Sequence, residues 1–340
     1  MTFPAYLICL VVLQGTALAT SHETRSAYSC AIDIKSHSRK SDDVATKLYK
    51  LFNPNSMRTA NDHVFFYLYT KEKPKEYEIV FGNSSSIQKS SFNKSRSTKI
   101  VTHGYLGSRN EASCTLLKDA FLKSRDYNII VVDWWKMQSI WGTIPLDYWT
   151  VAGFVGQVGS YVATMINFLE NQGMNLETTT LIGHSLGAHV MGVAGHNANS
   201  KVNYIVGLDP AFPAFENKGP GECLSVEDAE IVEVIHTNSG NCGVPNEIGH
   251  YDFYPNGGSK QLGCGTNVCS HSRAYEYYAE SIYSETGFYG RKCNSLESVE
   301  SGVCDGDIVI MGGHSKKKQS PFGIYYLKTN KSSPYALGMK

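Results

Sequence analysis

Short apolar runs rich in β-branched and aromatic residues alternate with longer stretches of helical period through most of the chain. Residues 64–69, 99–102, 128–133, 179–182, 204–208 and 231–235 hold few polar positions, the pattern of strands buried on both faces. Between the third and fourth of them, Val151, Val155, Val158, Val162, Met165, Ile166 and Leu169 fall on one helical face. Residues 186–195 and 272–283 read as further helices, whereas 84–97 is polar and Ser-rich and predicts a loop. Such alternation predicts an α/β class with a mainly parallel central sheet and helices on both faces. No repeat, long linker or charge block marks a boundary, so residues 20–340 are expected to form one domain.

Composition narrows the function. Of 340 residues 42% are hydrophobic and 18% charged, and 31 Lys+Arg balance 31 Asp+Glu. That excludes disorder and offers no electrostatic footprint for nucleic acid. Lys316-Lys317-Lys318 is the one basic run, and a solvated loop explains it. The first nineteen residues carry no charge, and an apolar run at 5–13 is followed by Ala17-Leu18-Ala19. This reads as a secretory signal peptide, 1–19, since the run is too short to span a membrane. Without Cys9, eight cysteines remain: Cys30, Cys114, Cys223, Cys242, Cys264, Cys269, Cys293 and Cys304. The even count fits disulfides of a secreted, extracellular protein better than a metal site, and sequons at Asn83, Asn93 and Asn330 fit export and glycosylation.

The strongest chemical signal is Gly183-His184-Ser185-Leu186-Gly187, lying between a predicted strand and a predicted helix. A nucleophile on so tight a turn needs small neighbours, and the helix N-terminus behind it offers free N–H groups to an oxyanion. Ser185 is the candidate nucleophile and the Leu186 amide one oxyanion donor. His103-Gly104-Tyr105 follows another strand, which makes the Tyr105 amide the candidate second donor. A serine at its ordinary pKa needs a base and an orienting acid, in the chain order Ser, Asp or Glu, His. Asp209 ends the strand at 204–208 and is the expected acid. His236, His250, His271 and His314 follow it, and the residues alone leave the base open between His271 and His236. Trp134, Trp135, Trp141 and Trp149 lie within sixteen residues. They read either as core and pocket wall or as a lipid-interface anchor.

Several ordered motifs resemble the pancreatic lipase family over about residues 30–328. They are Gly183-His184-Ser185-Leu186-Gly187-Ala188-His189, Leu208-Asp209-Pro210-Ala211, Ile235-His236-Thr237, Asp252-Phe253-Tyr254-Pro255-Asn256-Gly257-Gly258 and Cys269-Ser270-His271-Ser272-Arg273. The resemblance implies an α/β-hydrolase fold and a triad of Ser185, Asp209 and His271, with His236 structural. It also implies the pairs Cys30–Cys114, Cys264–Cys269 and Cys293–Cys304, which leaves Cys223 with Cys242. Since the sequence ends at Lys340, the C-terminal β-sandwich and its colipase contact are expected to be absent, and a monomer is expected.

Two departures sharpen the reading. Family triacylglycerol lipases carry a lid between cysteines matching Cys264 and Cys269, but only residues 265–268 separate them here, and 238–249 is short as well. Both features resemble secreted phospholipases A1, including those of insect venoms. An open rim admits a charged phospholipid head group, whose burial under an apolar lid would cost several kcal/mol without partners. The expectation is therefore hydrolysis of the sn-1 ester of phospholipids at a membrane or micelle surface. A neutral triacylglycerol lipase or carboxylesterase is the alternative, and a non-catalytic, yolk-type lipid binder a weaker one. Asp228 is retained, but no arginine matches the family's calcium site, and no metal or other cofactor is expected.

Overall fold

The computed structural model describes residues 59–140, 142–314 and 321–339. The expected leader, Cys30, Trp141 and Lys316 to Lys318 lie outside the described residues. Thirteen strands are described: β1 (Phe65–Tyr69), β2 (Tyr77–Ile79), β3 (Thr98–Thr102), β4 (Asn128–Asp133), β5 (Ser139–Ile140), β6 (Ile144–Pro145), β7 (Thr180–His184), β8 (Val202–Leu208), β9 (Ala229–Ile235), β10 (Tyr251–Pro255), β11 (Phe288–Cys293), β12 (Ile308–Met311) and β13 (Gly323–Leu327). Eleven of them form one sheet in the order β12-β11-β13-β10-β9-β8-β7-β3-β4-β1-β2, and β5 and β6 make a separate ribbon. From β4 across to β13 every pairing is parallel. Antiparallel β1 and β2 finish one edge, β11 and β12 the other.

Alternation along the central strands explains why both faces are covered. Ile100, Ile130, Val132, Leu181 and Ile205 join the apolar layer formed with Val158, Val162 and Ile166 of the Val155–Asn171 helix and Val190 and Met191 of the Leu186–His196 helix. Their neighbours Val101, Ile129, Val131, Ile182 and Val206 turn the other way, onto Leu117 and Phe121 of the Ala112–Ser124 helix and Ala274 and Tyr278 of the Asn267–Ser281 helix. This is the α/β-hydrolase arrangement. The chain pairs β3 with β4 on one side and then returns to place β7 on the other. At such a reversal the connecting loops part at the carboxyl ends of the strands and leave a crevice, the usual ligand position in open α/β sheets.

Local departures from the expected elements have identifiable causes. The apolar stripe from Val151 to Leu169 is two helices, Tyr148–Ala152 and Val155–Asn171; Asp147 caps the first by accepting from the Thr150 amide. Within the expected loop at 84–97, Ser84–Gln88 is a short helix whose N-cap Asn83 accepts from the Ser86 amide. Asn83, Asn93 and Asn330 are all exposed. No helix among the described residues is long and apolar enough to cross a membrane.

The disulfide expectations need correction. Cys264–Cys269 and Cys293–Cys304 form, with Cα atoms 5.4 and 4.6 Å apart. Cys114 and Cys223 are free thiols. Cys114, a free thiol, is buried in the apolar layer under its helix and so is not in the expected pair with Cys30; burial pushes its pKa up. Cys242 is disulfide-bonded, to a residue outside those described, and so cannot pair with Cys223. Burial pushes the Cys223 thiol up to about 11.

Candidate active site

Ser185 stands between β7 and the Leu186–His196 helix with φ 58° and ψ −124°, a backbone conformation that costs an L-residue energy. The flanking glycines make it possible. A Cβ on Gly183 would lie 2.1 Å from the Gly187 carbonyl oxygen, and one on Gly187 would lie 2.4 Å from the His103 carbonyl oxygen. The turn is also pinned from β8: the Ser185 amide donates to Leu208 O at 3.0 Å, and the Ala211 amide donates to Ser185 O at 3.3 Å.

Asp209 leaves the end of β8 with φ 44°. Its Oδ1 accepts from the Thr237 and Asn238 amides at 2.7 and 2.9 Å, and its Oδ2 lies 2.5 Å from His271 Nδ1. The open choice between two histidines is thereby resolved in geometry. His236 lies elsewhere, with Nε2 2.9 Å from Asp252 Oδ1 and Nδ1 3.1 Å from Val244 O, and its ring stacks on Tyr254. His271 is carried by the second turn of the Asn267–Ser281 helix, against the ring of His184 at 4.4 Å between centroids. His184 Nε2 also donates to the His271 backbone carbonyl at 3.1 Å, tying the residue before Ser185 to the backbone that carries the imidazole. Among the described residues Ser185 Oγ has no hydrogen-bond partner; serine–histidine contacts in unliganded sites are commonly long. Exposure sorts the three: Ser185 retains 8% and His271 7%, so both are reachable, while Asp209 at 0% is sealed behind them.

Across the crevice, the Gly104 Cα lies against Ser185, leaving 2.7 Å between an added Cβ and the Ser185 Cβ. Trp134 holds this loop from below. It stacks on His103, its Nε1 donates to His103 O, and its amide donates to His103 Nε2. Gln138 completes the support, donating to Gly104 O at 3.0 Å and accepting from the Leu106 amide at 2.7 Å. Trp134 is thus a fully buried core residue, and the interface-anchor reading does not apply to it. The Tyr105 hydroxyl is occupied, donating to Leu146 O at 2.8 Å, which leaves the amide as the relevant group. Leu186, first residue of its helix, has an amide that the helix itself cannot satisfy.

The rim beside His271 is short because the Cys264–Cys269 bridge is folded into the start of a helix. Thr266 caps that helix by accepting from the Cys269 amide at 3.2 Å, so the helix begins at Asn267 rather than at the expected 272. Gly265, Thr266 and Asn267 are exposed. The other wall, 238–249, is clamped by the His236–Asp252 pair, since Asp252 also accepts from the Ile248 and Gly249 amides. Asp228, outside the crevice, caps a turn by accepting from the Ser225 amide and faces His196 at 3.2 Å; burial lifts its carboxyl to about 6.

Two histidines near the elbow are held neutral. Burial, followed by the nearby His271, lowers His184 well below the ordinary histidine value. His189 is buried against Phe215, donates from Nε2 to Ala211 O at 2.7 Å and accepts at Nδ1 from the Leu224 amide at 3.1 Å. Burial pulls it from 6.5 to about 4. The folded state therefore refuses a proton that the unfolded chain accepts between those two values. Its contribution is complete above pH 6.5 and is lost as pH falls toward 4, about 3 kcal/mol for this one residue. Urea unfolding at pH 7.5, 5.5 and 4 should show this decline, and His189→Gln should flatten it while lowering stability at pH 7.5. An unchanged slope in the variant would refute the assignment.

Comparisons with known proteins give the family. Residues 29–335 match the family model described as Lipase. The pancreatic triacylglycerol lipase of Myocastor coypus is 33% identical over 305 residues, covering 80% of this chain and 65% of its own. That of Cavia porcellus is 33% identical over 309 residues, 81% and 65% of the two chains. The chain therefore spans slightly less than two thirds of the length of these relatives. A phospholipase/carboxylesterase structure from Dyadobacter fermentans aligns with 46% of this chain and 74% of its own, at 14% identity and TM-score 0.34. Because the family match runs from ahead of the first described strand to the tail, taking in elbow, strand-end carboxylate and imidazole in one order, the chain belongs to the lipase family, of the pancreatic lipase type.

Proposed function

We propose that the protein is a secreted serine esterase that hydrolyses the sn-1 acyl ester of phospholipids. The observation that carries the chemistry is the buried Asp209–His271 contact at 2.5 Å, next to a serine on a strained elbow. His271 takes the Ser185 proton as Oγ attacks the ester carbonyl, and Asp209 orients and stabilises the imidazolium that results. The Tyr105 and Leu186 amides receive the oxyanion. The 2-acyl lysophospholipid leaves with the proton that His271 returns, and water, activated by the same base, releases the fatty acid. Disulfides at Cys264–Cys269 and Cys293–Cys304 support an oxidising, extracellular location.

The short rim supports the substrate class. Bridge and capping turn together leave four residues where a lid would need many more, so a polar head group stays in water while the acyl chain enters the crevice. Products from positionally labelled phosphatidylcholine and from triolein, assayed side by side, test the reading. The expected result is fatty acid from sn-1 and little from triolein. Release from sn-2 alone would overturn it, and release from triolein alone would turn the assignment to a neutral lipase, the activity for which the mammalian relatives are named.

A further inference from the structure

We infer that Gln261 is a positioning residue for the Asp209–His271 pair, a role that rests on the ester-hydrolase reading. The residue is 1% exposed and every polar atom of its side chain is used. Nε2 donates to Thr237 O at 3.1 Å and Pro255 O at 2.9 Å; Oε1 accepts from Asn256 Nδ2 at 3.0 Å and the Tyr277 hydroxyl at 3.1 Å. Its backbone amide donates to Ser270 Oγ at 3.1 Å. One amide thus joins the end of β10, the segment after β9 and the His271 helix, three pieces that no single strand or helix connects.

What lies one bond further makes this specific to the site. Thr237, gripped at its carbonyl by Gln261, gives its own amide to Asp209 Oδ1 at 2.7 Å, and its hydroxyl reaches His271 O at 3.5 Å. Ser270, gripped at its hydroxyl, precedes His271. Gln261 therefore holds the donor of the carboxylate and the neighbour of the imidazole at a fixed separation. Thr329 extends the net, donating its hydroxyl to Tyr277 and accepting from Asn256. A buried network with every valence filled rigidifies what it touches, and losing its hub frees several partners at once.

The test compares Gln261→Met, which keeps volume and removes the polar fork, with Asn128→Leu. Asn128 is equally buried and makes four hydrogen bonds at the start of β4, the end of the sheet away from Ser185. Both variants should melt at lower temperature. On p-nitrophenyl butyrate, Gln261→Met should lose about 10- to 100-fold in kcat with KM nearly unchanged, as small misplacements of reacting groups do. Asn128→Leu should keep wild-type kcat. If both variants destabilise alike and both keep kcat, the proposal is overturned. Should Gln261→Met fail to fold, Tyr277→Phe decides, since it removes one donor to Oε1 and little volume: a kcat lowered about threefold or more supports the role, and a wild-type kcat overturns it. Organophosphate labelling of the wild type separates the two levels. An inert Ser185 defeats the esterase reading and this inference together, whereas a reactive Ser185 with an indifferent Gln261 defeats this inference alone.

Discussion

Ser185→Ala is expected to abolish ester turnover, by at least about 10⁴-fold, while the protein folds and melts within a few degrees of the wild type. The argument for the size of the loss is that the other groups in the crevice can bind an ester and its oxyanion but cannot form the acyl-enzyme. The argument for retained stability is local. Ser185 Oγ makes no hydrogen bond among the described residues, alanine keeps the Cβ that packs on Gly104, and the elbow backbone carries the same φ of 58° with either side chain. Turnover of p-nitrophenyl butyrate, a circular dichroism melt and organophosphate labelling check all three points. Wild-type-like residual turnover in the folded variant would remove Ser185 as nucleophile. Failure of the wild type to label would favour a lipid-binding protein that keeps the fold without the chemistry.

Much of this site was legible because a few residues face constraints that other residue types cannot meet. Gly183 and Gly187 must be small, and the signal survives in any single sequence. Asp209 was legible as the first polar residue after an apolar strand. The base was not, because both His236 and His271 follow Asp209, and their difference lies in contacts to Asp252 and Asp209 that depend on how β9, β10 and the helix pack. β10 itself escaped the hydrophobic reading. It is a buried strand, yet Asp252 interrupts its apolar run, and the carboxylate is satisfied there by His236 and by the Ile248 and Gly249 amides. The β11, β12 and β13 edge was missed since its strands are part-exposed and antiparallel to one another or to a neighbour. Gln261 carried no signal at all: a lone glutamine in a loop gains its meaning from partners on three separate segments, Thr237, Pro255 with Asn256, and Tyr277. Of the cysteine pairs, Cys264–Cys269 and Cys293–Cys304 formed as expected while those assigned to Cys114 and Cys223 did not, since a count constrains the number of bridges and says nothing of which thiols meet.

Asp209→Asn should lower kcat by about 10⁴-fold while KM for a soluble ester moves little, because Asp209 is sealed from the crevice and touches no substrate. The hydrogen bonds dictate how. Oδ1 faces two amide donors, from Thr237 and Asn238, so the asparagine must keep its carbonyl oxygen there. Its NH₂ group then occupies the Oδ2 position and points at His271 Nδ1 from 2.5 Å in the parent geometry. A donor at that place makes Nδ1 the acceptor, which moves the ring proton to Nε2. An imidazole protonated on the Ser185 side cannot take the serine proton, and the imidazolium, if it forms, has lost its counter-charge. Flipping the amide rescues nothing, because it sets NH₂ against two N–H groups. Asp252→Asn provides the contrast. It disturbs the second buried His–Asp pair, at 2.9 Å, and so should cost stability, yet His236 faces Val244 and Tyr254 rather than Ser185, and kcat should fall less than about tenfold. Equal losses of kcat in the two variants would mean that both pairs act only by holding the fold, and Asp209 would lose its assigned place beside the base.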